Sequence, residues 1–245
     1  MQFIDAEGLK TLLTDVIRQN VTPEAQAWLF AQGGLKDLSA FYTAFALMPR
    51  KTGKFQINID ESQQKQINRS REGFTINNWT TDRLARVWLL MQAEGENNDA
   101  YFNTIEKLFS TGEMNELVAL YSALPVLSHP QLWVRRCAEG IRSNIGTVLE
   151  AIMYDNPYPA ENLDEPAWNQ MVMKAIFTEK DLTRITGLYT RVNPELARIL
   201  IDYARERWAA GRQVDPALWQ LAVIFVDETA INQMKRGNWE NYTAG

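Results

Sequence analysis

Proline recurs at the head of helix-period apolar runs, and that placement constrains the fold more than any other feature of the chain. Thr22-Pro23, Glu165-Pro166, Asn193-Pro194 and Asp215-Pro216 each set a capping or acidic residue before a proline in the first helical turn. There the missing N–H costs nothing, because the first turn has no partner for it, and the fixed φ is already helical. Inside a helix the same ring breaks the hydrogen-bond ladder, so Pro49 and Pro125 are expected to end the runs they follow. Between these marks the apolar residues fall three and four apart: Leu9, Leu12, Leu13, Val16 and Ile17; then Leu84, Val87, Trp88 and Met91; then Trp168, Met171, Val172 and Ala175. No strand–helix alternation and no glycine-rich phosphate loop is visible. The pattern predicts an all-α fold: a helical-hairpin stack, either a HEAT- or armadillo-like α-solenoid or a compact helical bundle. The expected organisation is one domain over 1–245, with N-terminal helices in 1–110, a second helical half in 111–225 and a fraying tail at 235–245. Arg50 to Ile59 reads as a polar, extended connection.

Composition removes several function classes. The net charge is −5, with both signs mixed along the chain and no Lys/Arg block of the kind that binds nucleic acid by releasing counterions. Arg50, Lys51 and Lys54 form a small basic stretch that reads as a solvated loop; an anion site there would also need backbone donors. Cys137 is the sole cysteine, which rules out an internal disulfide and fits a reducing compartment. His129 is the sole histidine, so mixed Cys/His zinc sites cannot form and any triad would depend on that one residue. No metal and no cofactor is expected. The start of the chain does not read as a secretory signal, and the most apolar stretch, Leu218 to Val226, is too short to span a bilayer. A cytoplasmic protein without a membrane span is the expectation.

Candidate site residues cluster in 142–191. Arg142, Asn144 and Glu150 surround the start of one run, where Asn144 reads as an N-cap. Asn156-Pro-Tyr-Pro fixes a corner, because each proline locks its own φ and extends the residue before it. Either Tyr158 packs into the core there, or the stiff backbone pre-orders Asn156 and Tyr158 for a ligand. Gln170 and Lys174 lie four apart on one helical face, with Asn169 about 100° around. Amides and an ammonium in an apolar helix must meet partners, water or a ligand if buried. Arg191 sits in a joint before a helix start, where it could help hold a phosphate or carboxylate.

At Asn156 the chain also reaches a recognisable pattern. NPYPAENLDEPAWNQMVMKAIF, followed by ITGLYTRVNPELARILIDYARERWAAGRQVDPALW, resembles the EboA-domain family. FYTAFALMPRKTGK and LYSALPVLSHPQLWVRRCAEGIRSN upstream are similar to it as well. The resemblance implies a place in bacterial gene clusters beside a prenyltransferase, a dehydroquinate-synthase-like protein, a TatD-like hydrolase and a sugar-phosphate-isomerase-like protein. Those clusters make or move a small secondary metabolite. The family supplies no catalytic residues to carry over, and AEGIRSN stands where its pattern has a cysteine, which weakens any thiol chemistry. Three readings follow. The first is a non-catalytic binding or adaptor protein, with a small-molecule metabolite or proteins of the same cluster as partners. The second is a small-molecule enzyme with Lys174 or Glu150 as acid or base. The third is a carrier shielding an apolar metabolite.

Overall fold

A computed structural model describes residues 5–93 and 97–225. Among them are thirteen α-helices and no strand; two isolated antiparallel bridges pair Gln56 with Thr80 and Tyr154 with Ile185. The chain is all-α, as its periodicity implies. The expected fraying tail lies outside the described residues. Two units emerge. The first runs to Ala167 and takes in Arg184–Thr186; the second comprises Trp168–Thr183 and the chain from Gly187 onward.

The first unit contains α1 (Ala6–Asn20), α2 (Pro23–Ala31), α3 (Leu38–Thr52), α4 (Glu61–Ser70), α5 (Thr81–Leu90), α6 (Asn98–Thr111), α7 (Met114–Ala123), α8 (Val134–Arg142), α9 (Gly146–Met153) and the single turn α10 (Tyr158–Asn162). Asp5, Thr22, Asp37, Asp60 and Asn97 cap the helices that follow them through side-chain oxygens. Within this unit α3, α5, α7 and α9 pack each on the next, and α2, α6 and α8 pair with α3, α7 and α9. This is stacking of helical hairpins: each amphipathic helix lacks enough apolar partners alone, and the neighbouring pair supplies them. The middle helix, α5, is buried at every residue except Arg83, which is half-buried.

Two expectations about this unit need correction. Pro49 does not end α3; it lies inside the helix. A proline at that point cannot donate to the carbonyl four residues back, that of Phe45. The Phe45 carbonyl instead accepts a hydrogen bond of 3.0 Å from Arg86 Nε on α5, so a neighbouring helix repairs what the ring removes. Because the helix continues, Arg50 to Thr52 are helical rather than extended, and the irregular connection begins only at Gly53. Asn144, the second correction, does not cap α9. The N-cap position is Ile145, with no side-chain cap.

Close packing of the stack depends on Gly140 of α8. A Cβ there would stand 2.5 Å from Ile152 Cδ1 and 2.6 Å from the Tyr121 ring. Glycine therefore lets α8 approach α7 and α9.

α11 (Glu165–Phe177) begins in the first unit and continues into the second, which also holds α12 (Pro194–Ala209) and α13 (Pro216–Ala222). Asn193 and Asp215 cap the last two, each followed by its proline in the first turn. α12 and α13 pack together, with Trp208 and Trp219 stacked at 5.1 Å. Tyr203 meets Phe177 edge-on at 5.0 Å.

Candidate functional site

The nine sequence candidates divide between the two units. In the first, Arg142 is the exposed last residue of α8, and Asn144 is exposed in the joint after it. Asn156 and Tyr158 are buried, and their polar atoms hold the proline corner together. Asn156 Nδ2 donates to the carbonyls of Tyr121 (3.2 Å) and Ala151 (2.9 Å), while its Oδ1 accepts from the Tyr158 N–H at 3.0 Å. Tyr158 Oη donates to the Pro130 carbonyl at 2.5 Å, and burial pushes the phenol well above its usual range. Glu150 is half-buried on α9.

Around Glu150 the first unit gathers charges that the sequence reading missed. Arg83 donates Nε to Ser122 Oγ at 2.8 Å, and its guanidinium lies 4.3 Å from the Trp79 ring centroid. Arg184 repeats the device over Tyr154 at 4.4 Å and pairs with Asp155 through Nε (3.0 Å) and Nη2. Asp155 has φ of 53°, in the left-handed region that Asp tolerates better than most residues. Its N–H donates to the Arg184 carbonyl at 2.9 Å, and the neighbouring Tyr154–Ile185 bridge fixes the same crossing. Gly73, at φ 76°, closes the corner from the other side: a Cβ there would meet Thr186 at 2.9 Å and Pro157 at 3.3 Å.

Arg83 is the unusual member. Among the described residues of this unit, Ser122 is its one hydrogen-bond acceptor, and no carboxylate forms an ion pair with it. Burial, followed by the like charge of Arg184, lowers its guanidinium to about 9, against the opposing pull of Asp155, Asp82 and Glu150. It is protonated at neutral pH. Two Nη groups on a stacked, half-buried guanidinium are suited to a carboxylate or phosphate, which can take both donors at once. The sequence carried one usable signal: an arginine within an otherwise buried helix, four residues after Trp79.

The second unit holds the other four candidates. Asn169 is buried and exchanges amide hydrogen bonds with Asn193, at 2.8 and 3.2 Å. The same Asn193 Oδ1 caps α12 by accepting from Leu196 N–H at 2.8 Å. Gln170 is exposed and Lys174 half-buried. Arg191 lies 4.8 Å from the Trp168 ring centroid. Trp168 Nε1 is buried without a hydrogen-bond acceptor among the described residues, a place where a water or a polar ligand atom would be satisfied.

Other chemistry is sparse. Cys137 is fully buried, and burial pushes its thiol far up, away from nucleophilic use. No group of three or more His, Cys, Asp or Glu placed to hold a metal occurs among the described residues. A half-open groove of about 360 Å³ between α1 and α4 is lined by Leu12, Val16, Ile67, Gln19, Gln63 and Gln66 among others, none of them a sequence candidate. No helix among the described residues is long and apolar enough to cross a membrane.

No curated protein and no solved structure matches the chain. A family model does, over nearly the whole described length. On residues 9–223, which match the model described as metabolite traffic protein EboA, the chain belongs to the EboA family.

Proposed function

We propose that this chain is a non-catalytic binding or adaptor protein in the traffic of a small secondary metabolite, serving its biosynthesis or export. The family's description supports a metabolite-related role. The observation that favours binding over conversion is the division of labour among polar groups. Asn156, Tyr158 and Asn169 are engaged in holding the protein itself together. Arg83 meets a protein acceptor only through Nε among the described residues of its unit. A cation held over an indole ring, with donors to offer, recognises an anionic group without supplying an acid, a base or a nucleophile at neutral pH.

The alternative, an enzyme using Glu150 or Lys174, makes a different prediction for metabolite profiles. Strains lacking the gene, carrying it, or carrying Arg83→Met are compared, with intracellular and exported fractions analysed separately. A traffic role moves one compound between fractions, in the same direction in the null and Arg83→Met strains. A pair of compounds that exchange abundance in the null strain and differ by one reaction's mass change would overturn the proposal in favour of catalysis.

A further inference from the structure

The end of α3 and the turn after it carry charge of one sign only. No acidic residue occurs between Asp37 and Asp60, yet Arg50, Lys51 and Lys54 lie in that interval, in a protein of net charge −5. All three are exposed, and none forms an ion pair with a described residue. Lys51 Nζ lies 5.5 Å from the centroid of the half-buried Trp28 ring. Next to Lys54 in the chain stands Phe55, 71% exposed, the most exposed large apolar side chain described.

Phe55 is held outward by a fixed backbone. Its N–H donates to Thr81 Oγ1 at 3.2 Å, and its carbonyl accepts from Thr81 N–H at 2.8 Å. Two residues on, Ile57 is buried and its N–H donates to the Trp79 carbonyl at 3.0 Å. Gly53 turns the chain at φ 75°, and the Phe55 ring lies so close to it that a Cβ would be 2.5 Å away. The ring and the three cations thus lie within residues 50–55, at the end of α3 and in the turn that follows it. One exposed aromatic ring that can enter a headgroup layer, with three exposed cations close to it in the chain, fits a lipid–water interface bearing acidic headgroups. A nucleic acid would call for a longer basic track with several stacking rings. A folded protein partner would call for a wider apolar contact than one ring.

We propose that this corner docks the protein on an anionic lipid surface, with Phe55 entering the headgroup region and Arg50, Lys51 and Lys54 facing acidic headgroups. The contact is reversible, because one ring and a few cations form a weak anchor. It is independent of the proposed role of Arg83.

The test is co-sedimentation of the full chain with vesicles of phosphatidylcholine alone or with 30% phosphatidylserine, at low and at moderate salt. The expected result is at least fivefold more binding to the anionic vesicles, lost as salt rises. Phe55→Ser and Lys51→Glu/Lys54→Glu each lower it severalfold with unchanged thermal unfolding. Phe55→Trp keeps binding and adds fluorescence that brominated lipids quench beyond the wild-type level. Equal binding to both vesicle types, no binding to either, variants that bind as the wild type does, or an acidic polypeptide or short RNA captured more tightly than the anionic vesicles would each overturn it.

Discussion

Replacing Arg86 by methionine tests how the stack tolerates a proline inside α3. Arg86 is almost fully buried, and its guanidinium serves three partners. Nη1 pairs with Asp82 Oδ2 at 2.9 Å, Nε donates to the Phe45 carbonyl at 3.0 Å, and Glu116 lies 3.8 Å away. Methionine fills the volume and serves none of them. Asp82, with its side chain 6% exposed, would keep the Thr80 hydroxyl at 2.6 Å as its side-chain partner. Removing one member of a buried ion pair costs about 3–5 kcal/mol. A buried carbonyl left without a donor costs about 1–3 kcal/mol, which places the single variant at the upper end of that range. At a slope of about 2 kcal/mol/M, the upper end of the ion-pair cost corresponds to a midpoint fall of about 2.5 M in urea unfolding followed by tryptophan fluorescence. Two companions locate the cause. Asp82→Leu/Arg86→Met removes both charges and should be more stable than Arg86→Met alone. Pro49→Ala restores a donor for Phe45, so it should stabilise the Arg86→Met protein more than the wild type. A loss below about 1 kcal/mol for Arg86→Met, or an identical Pro49→Ala effect in both backgrounds, would refute the account.

Three further outcomes follow from named contacts. Gly140→Ala should lose about 1–2 kcal/mol, because the overpacking cost exceeds the helix-propensity gain, and Ile152→Val, which deletes the clashing Cδ1, should recover part of it in a double-mutant cycle. Burial raises Tyr121 from 10 to about 12, and the phenols and thiol of Tyr158 and Cys137 rise with it. These groups keep their protons longer when folded, so their stabilisation is complete below the unfolded values and lost as pH climbs; stability should fall from about pH 9, where the unfolded thiol titrates, and more steeply from about pH 10 to 12, where Tyr121→Phe should make denaturant midpoints less sensitive. Asn193→Ala removes the α12 cap and orphans the Asn169 amide, an expected loss of about 2–4 kcal/mol, whereas Asn193→Ser keeps the cap and should lose less by denaturant titration of the second unit.

Much of the architecture was legible from residue order alone. Capping residues before first-turn prolines and three-and-four spacing are local signals, set by one segment's own dihedrals and one face's wetting, so α1, α2, α5, α12 and α13 could be placed without neighbours. Pro49 marks the limit of that logic. Its lost hydrogen bond ends an isolated helix, but here a donor arrives from α5, and only packing brings Arg86 to the Phe45 carbonyl. The candidate site shows the same limit. Asn156, Tyr158 and Asn169 were identifiable as polar groups in apolar surroundings, but whether their atoms face a ligand or the Tyr121, Pro130 and Asn193 groups depends on segments distant in sequence. Arg83 and Arg184 were not among the candidates because a guanidinium's role is set by what covers it and which ring it lies over. Local sequence can specify where each helix begins and which face is apolar; solvent exclusion and partner choice arise only when the helices meet.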